Sequence, residues 1–313
     1  ICKKATEITN INDLSKTYDG KEISELAYDI NHKESEVKVT YQQLIGDKYE
    51  DIQTPIVNVG AYQVTLTSPA TNHYSAGEET KEFKITSSDS DITITSDKTT
   101  YVYEDQITLD VSLNLAKKQS FFGRLFAKDN TVTAYIGGTA ISSSVKLDKN
   151  NQAKLTIDTK DENVRKVLKP SDQTLTITVK YNGSENLNNT AKDISIMLHK
   201  KDTTVSFKDT AFNLNKVYNG KSVTVDVDND IHKTENAPEV TLNWNKKDGT
   251  VLDKAPSKAG KYQLNISIPE DAYYNGSSVK HDFEISKAKL SVEVKVKDKQ
   301  YDGLNTAEIE TVT

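Results

Sequence analysis

The chain of 313 residues has one cysteine, one methionine, one tryptophan, six prolines and thirteen glycines. A single cysteine excludes a disulfide framework and any zinc site built on cysteine pairs. Cys2 stands beside the start of the chain and reads as a free thiol in a frayed segment. So few glycines and prolines exclude a collagen-like or proline-rich linker chain. The apolar runs are only a few residues long, whereas a membrane-crossing helix needs about 20. Ile1-Cys2-Lys3-Lys4 lacks an apolar signal core, so any targeting segment is expected to have been removed or to lie upstream. Arginine occurs twice against 38 lysines, which leaves few sites for bidentate recognition of carboxylate or phosphate. The net charge of -6 argues against a nucleic-acid binder. There is no HExxH, GxSxG or phosphate loop, nor a GxGxxG after a strand.

Threonine (34) and tyrosine (15) are abundant instead, and both favour a pleated, half-buried surface. The chain also matches itself. Tyr18-Asp19-Gly20-Lys21 returns as Tyr218-Asn219-Gly220-Lys221. The same offset carries His32-Lys33 onto His232-Lys233 and Gly60-Ala61-Tyr62-Gln63 onto Gly260-Lys261-Tyr262-Gln263. It also carries Pro69, Tyr74, Phe83 and Ile85 onto Pro269, Tyr274, Phe283 and Ile285. The match reads as ungapped. A third copy opens at Tyr301-Asp302-Gly303, which implies a parent chain that continues. Between the first two copies lies a segment of another pattern.

Every unit alternates apolar and polar residues with period two, as half-buried strands do. Examples are Ile107, Leu109, Val111 and Leu113, then Leu175, Ile177, Val179 and Tyr181, then Leu290, Val292, Val294 and Val296. Asp-Gly, Asn-Gly and Gly-Gly pairs punctuate them as turns. Seven or so short strands per unit predict antiparallel sandwiches. Gly260 followed by Tyr262 suggests a tyrosine corner. Thr159-Lys160-Asp161-Glu162 has capping-box spacing before Val164, Val167 and Leu168, and Pro170 ends the run. A short helix is predicted there, at about 160–168.

The most distinctive candidate partner-binding residues are Phe121, Phe122, Arg124, Leu125 and Phe126. They lie in an insertion at about 116–130. Aromatics and arginine are the types that carry binding energy at interfaces, and such a group left in water would mark an interaction site. The competing reading is an insertion that folds down and caps the sandwich. Trp244 alternates like a core residue, and the ungapped match sets it beside Leu44. His32 and His232 read as loop histidines held by local hydrogen bonds, and Tyr273 and Tyr274 as packing residues. Asp226, Asp228 and Asp230 start like a calcium loop, but Ile231 and Ala237 stand where glycine and glutamate would be needed. An acidic loop face is the expectation, and Ca²⁺ there or at Asp89 and Asp91 is the lesser alternative. No cofactor is otherwise expected. A buried Lys–Asn isopeptide bond has no sequence signature to identify it.

The motifs Lys16-Thr17-Tyr18-Asp19-Gly20-Lys21, Gly60-Ala61-Tyr62 and Phe83-Lys84-Ile85 resemble the YDG-type (MBG-type) bacterial immunoglobulin-like repeats. So do Val217-Tyr218-Asn219-Gly220-Lys221, Ala259-Gly260-Lys261-Tyr262 and Phe283-Glu284-Ile285-Ser286-Lys287-Ala288. Tyr101-Val102-Tyr103-Glu104-Asp105, Ala134-Tyr135-Ile136-Gly137-Gly138-Thr139 and Tyr181-Asn182-Gly183-Ser184 resemble a second bacterial immunoglobulin-like type. The resemblance implies an all-β chain of tandem immunoglobulin-like sandwiches in an elongated rod, on the order of 100–120 Å for three modules. The expected modules are 1–88, 89–202, 203–287 and the opening of a further one, 288–313. It implies no catalytic residue. The expected role is a stalk in a large bacterial cell-surface or secreted protein. The alternatives are an adhesin region with its site on the middle module, or an accessory segment of an extracellular enzyme. A host glycoprotein or matrix protein is the expected partner class, with no nucleic acid, no membrane insertion and a monomeric chain.

Overall fold

The computed structural model describes residues 2–115 and 130–312. It is nearly all β and divides into two compact units, 1–199 and 200–313. The first unit holds two sandwiches.

The first sandwich runs through β1 (Ile8–Thr9), β2 (Lys16–Thr17), β3 (Asp29–Ile30), β4 (Lys38–Ile45), β5 (Lys48–Ile52), β6 (Gly60–Ser68) and β7 (Gly77–Thr86). Its main sheet has the order β2-β7-β6-β4-β5, and β1 pairs with β3 on the opposite side. Val64, Leu66, Phe83 and Ile85 point from the main sheet into a core shared with Ile8, Leu14 and Ile56. The alternation along β6 is strict, every second residue from Tyr62 to Ser68 being buried. That is the period-two pattern of a sheet with one dry face.

The second sandwich comprises β8 (Ser90–Ser96), β9 (Thr100–Val102), β10 (Gln106–Leu115), β11 (Thr131–Ile136), β12 (Thr139–Ala140), β13 (Val145–Lys146), β14 (Gln152–Asp158), β15 (Ser171–Tyr181) and β16 (Thr190–His199). One sheet is β14-β10-β8; the other is β12-β11-β15-β16-β9, with β13 also on β11. The opening strand is thus split between the sheets. Its first half, β8, pairs antiparallel with β10, and its second half, β9, runs parallel to β16. Two antiparallel sheets bridged in this way make an immunoglobulin-like sandwich. Ile92, Ile107, Leu109, Leu155 and Ile157 face Val132, Ala134, Ile177, Val179 and Ile196 across its core.

Helix α1 (Glu162–Val167) lies where the sequence predicts one, but it is capped differently. Asp161 is the N-cap, accepting from the backbone N–H of Asn163 and Val164. The predicted capping box on Thr159 and Glu162 does not form. Thr159 is fully buried, where its hydroxyl accepts from Glu104 N–H at 2.9 Å and donates to Asp105 C=O at 3.0 Å. A buried hydroxyl must find partners, and the β9–β10 turn supplied both.

The second unit contains β17 (Val205–Phe207), β18 (Lys216–Val217), α2 (Val227–Asp230), β19 (Ile231–Lys233), β20 (Thr241–Lys246), β21 (Val251–Leu252), β22 (Gly260–Ile268) and β23 (Ser277–Ser286). Their sheets, β18-β23-β22-β20-β21 and β17-β19, repeat those of the first sandwich. A final hairpin of β24 (Val294–Val296) and β25 (Ile309–Val312) follows. Its apolar side chains are exposed, Val294 at 50% and Ile309 at 57%.

Register corrects the ungapped match. Leu264 faces Trp244, whereas Val64 faces Tyr41. The strand pair β22/β20 therefore matches β6/β4 with β20 displaced by three residues beyond the 200-residue offset. At the next strand the offset is 200 again, since Trp244 pairs with Leu252 and Tyr41 with Ile52. Three residues were gained before β20 and three lost in the β20–β21 turn. The structural counterpart of Trp244 is Tyr41, not Leu44, which is 38% exposed.

Candidate functional site

Three local devices recur. The first is the Lys-x-Tyr-Asp/Asn-Gly turn. Asp19, Asn219 and Asp302 each accept from the backbone N–H two residues on, at 3.1, 3.1 and 2.9 Å. Gly20, Gly220 and Gly303 follow at φ of 71, 77 and 73°, a region where glycine carries no Cβ penalty. The ammonium groups of Lys16, Lys216 and Lys299 reach forward to carbonyls of the same turn, on Lys21, Lys221 and Leu304. The motif therefore encodes a self-capped turn rather than a ligand site.

The second is the tyrosine corner. Tyr62 Oη donates to Asn58 C=O and Tyr262 Oη to Lys258 C=O, both at 2.8 Å. Each ring folds back over the glycine two residues earlier. A Cβ on Gly60 would stand 3.0 Å from Tyr62 Cζ, and one on Gly260 would stand 3.1 Å from Tyr262 Oη.

The third is a latch at the start of each sandwich. Lys4, Ser88 and Lys201 form parallel bridges to Tyr74, Leu187 and Tyr274. In each case the incoming residue donates its N–H to the residue before its partner and accepts from the residue after it. Thus Ser88 N–H reaches Asn186 C=O and Asn188 N–H reaches Ser88 C=O, at 3.1 and 2.9 Å. Tyr74 stacks on His32 with ring centroids 4.2 Å apart; Tyr274 is buried, in keeping with a packing role.

Within the first unit the two sandwiches meet around Asn186, in the 182–189 loop between β15 and β16. Asn186 is 2% exposed. Its Oδ1 accepts from Val59 N–H at 2.8 Å, and its Nδ2 donates to Asn58 Oδ1 at 3.2 Å. Ser87 Oγ donates to Asn188 Oδ1 at 2.6 Å, and Asn188 Nδ2 donates to Asp89 Oδ1 at 2.8 Å. Tyr18 and Tyr181 are both buried. Burial pushes the Tyr181 phenol up, and the nearby Tyr18 phenol adds to that rise. No local sequence pattern announced this joint. The Tyr181-Asn182-Gly183 turn marked the loop, but not the partner of Asn186.

Phe121, Phe122, Arg124, Leu125 and Phe126 lie outside the described residues. The strand before them ends with Leu115 opposite Ser90. After them, Asn130 Oδ1 accepts from Tyr181 Oη at 2.5 Å. Both attachments therefore lie near the joint of the two sandwiches.

The other candidates are spoken for structurally. Trp244 is 7% exposed and meets Phe283 edge-on at 5.9 Å. His32 is buried, accepting from Glu34 N–H through Nδ1. That leaves Nε2 to carry the proton toward Thr6 Oγ1 at 3.0 Å, while Thr6 donates to Ser75 C=O. His232 is exposed, so the repeated pair makes no common site. Asp226 caps α2, accepting from the N–H groups of Asp228 and Asn229, and Asp230 accepts from Asp226 N–H. Hydrogen bonds from Asn229 hold the Asp226 carboxyl below its ordinary range. Asp89 serves Asn188, and Asp91 lies 3.6 Å from Lys192. Among the described residues no three His, Cys, Asp or Glu side chains converge as a metal site, and no lysine is buried as an isopeptide bond would require.

No family model and no curated protein matches the chain. Solved structures do. Fibronectin(III)-like modules of Clostridium thermocellum CbhA are 13% identical, covering 64% of this chain and 97% of theirs, with a TM-score of 0.21. The titin Z1Z2 domains in complex with telethonin are 13% identical, covering 64% and 98%, with a TM-score of 0.28. The N-terminal immunoglobulin domains of Down Syndrome Cell Adhesion Molecule are 10% identical, covering 89% and 36%, with a TM-score of 0.29. Likenesses this shallow say nothing about what the chain binds.

Proposed function

We propose that the chain is a set of non-catalytic stalk modules of a large bacterial cell-surface or secreted protein. On this reading the modules are 1–88, 89–202, 203–287 and the opening of another at 288–313. The first and third are YDG-type immunoglobulin-like repeats, and the second is a different immunoglobulin-like type. The observation that carries the reading is the recurrent latch. At the start of each sandwich two backbone hydrogen bonds tie the incoming segment to the loop before the last strand. Fastened connections of that kind suit a spacer that must hold its modules in order under load. The Lys-capped turn, present three times, serves the same end, since it spends its charged groups on its own backbone.

The test is surface binding of the 313-residue chain to a panel of host secreted and matrix glycoproteins. A Phe121→Ala/Phe126→Ala variant is run beside the wild type. A spacer gives no signal with either chain. A wild-type signal that the variant loses, with its melting curve intact, would replace the stalk by an adhesin whose site is the insertion of the second module.

A further inference from the structure

We propose that the loop carrying the first sandwich's tyrosine corner is a receptor for the 182–189 loop of the second sandwich, with Asn58 and Asn186 as the pair that selects it. The inference does not depend on the extracellular role proposed above.

Asn186 is the only buried amide side chain among the described buried polar residues, and its partners belong to the other sandwich. Its Oδ1 takes the Val59 N–H and its Nδ2 gives to Asn58 Oδ1. The next carbonyl back from that N–H, Asn58 C=O, holds the Tyr62 hydroxyl. The joint is therefore continuous with a rigid corner of the first core. Polar groups buried in this way specify one arrangement, because every displaced geometry leaves a donor or acceptor unpaired.

The same loops elsewhere in the chain lack the pair. At the place of Asn186, just before the latch residue, the first sandwich has His73 and the third has Tyr273. At the place of Asn58 the third sandwich has Lys258, whose carbonyl holds the Tyr262 hydroxyl in the same way. Tyr18 is 3% exposed beside the joint.

The experiment uses the full chain with Cys2→Ser, spin-labelled at Asp47→Cys and Asn150→Cys, one label in each sandwich. The inter-label distance distribution is measured by pulsed electron resonance. The wild type should give a narrow distribution. Asn186→Ala and Asn58→Ala should each at least double its width, and Lys258→Asn should leave it unchanged. A broad wild-type distribution, or widths unchanged in both alanine variants, overturns the proposal. If Asn186→Ala unfolds the second sandwich by near-ultraviolet circular dichroism, Asn58→Ala decides alone. That side chain belongs to the other module, and an unchanged width there also overturns the proposal.

Discussion

Trp244 stands in the third sandwich where Tyr41 stands in the first, each opposite the same rung of its neighbouring strand, Leu264 or Val64. The two positions are 203 residues apart, although the repeat around them is spaced by 200. A side chain that occupies the same inward rung in both copies answers to the core. Trp244→Ala should therefore destabilise the third sandwich by about 3–5 kcal/mol, the usual cost of removing a buried aromatic. Denaturant unfolding of both chains followed by circular dichroism measures it, since the variant keeps no tryptophan. A surface platform would lose almost nothing.

The tyrosine corners predict a paired result. Tyr62→Phe and Tyr262→Phe each delete one hydroxyl-to-carbonyl bond and should cost about 0.5–1.5 kcal/mol. Gly60→Ala places a methyl against the ring it must clear and should cost about 1–3 kcal/mol by overpacking. Combining Gly60→Ala with Tyr62→Phe should cost less than the sum, because the methyl's contact with Oη disappears. A double-mutant cycle on melting curves reads this coupling.

His281 should make the third sandwich sensitive to acid. Its Nε2 is buried without a hydrogen-bond partner, and its ring lies edge-on to Phe207 and Phe212 at 5.3 and 5.1 Å. Burial lowers its pKa, and the neighbouring Asp282 only partly offsets that. With the folded value below the unfolded one, the unfolded chain binds the proton first. Stability is then full above about pH 6.5, the ordinary imidazole value. It falls as the pH drops from there toward the depressed folded value. Denaturation midpoints between pH 7 and 5 should show this slope in the wild type and a flatter one in His281→Gln.

The two residues before α1 have separable roles. Asp161→Ala removes an N-cap and should cost about 0.5–2 kcal/mol. Thr159→Ala should cost at least as much, because it removes the buried hydroxyl that Glu104 N–H and Asp105 C=O bond in a part-buried turn. Glu162→Ala should be close to neutral. A loss at Glu162 equal to that at Asp161 would restore the capping box that the structure lacks.

Much of the fold was readable along the chain. Alternation located the strands, Asp-Gly and Asn-Gly pairs located the turns, and the Gly-x-Tyr spacing announced a tyrosine corner. These are local matters, because strand period, positive φ and a contact between residues four apart are written within a few neighbours. The three-residue displacement of β20 was not readable, since a gain before a strand and an equal loss after it leave the flanking motifs aligned. Only the hydrogen-bonded rungs reveal it.

The sequence by itself determined that this is an all-β chain of repeated sandwiches with turns at its Asp-Gly and Asn-Gly pairs. Tertiary structure alone decided how the first two sandwiches meet. An amide on a loop far along the chain, Asn186, is satisfied by Asn58 and Val59. Such a pairing leaves no period and no spacing in the sequence, because its energy depends on two distant loops meeting after each has folded.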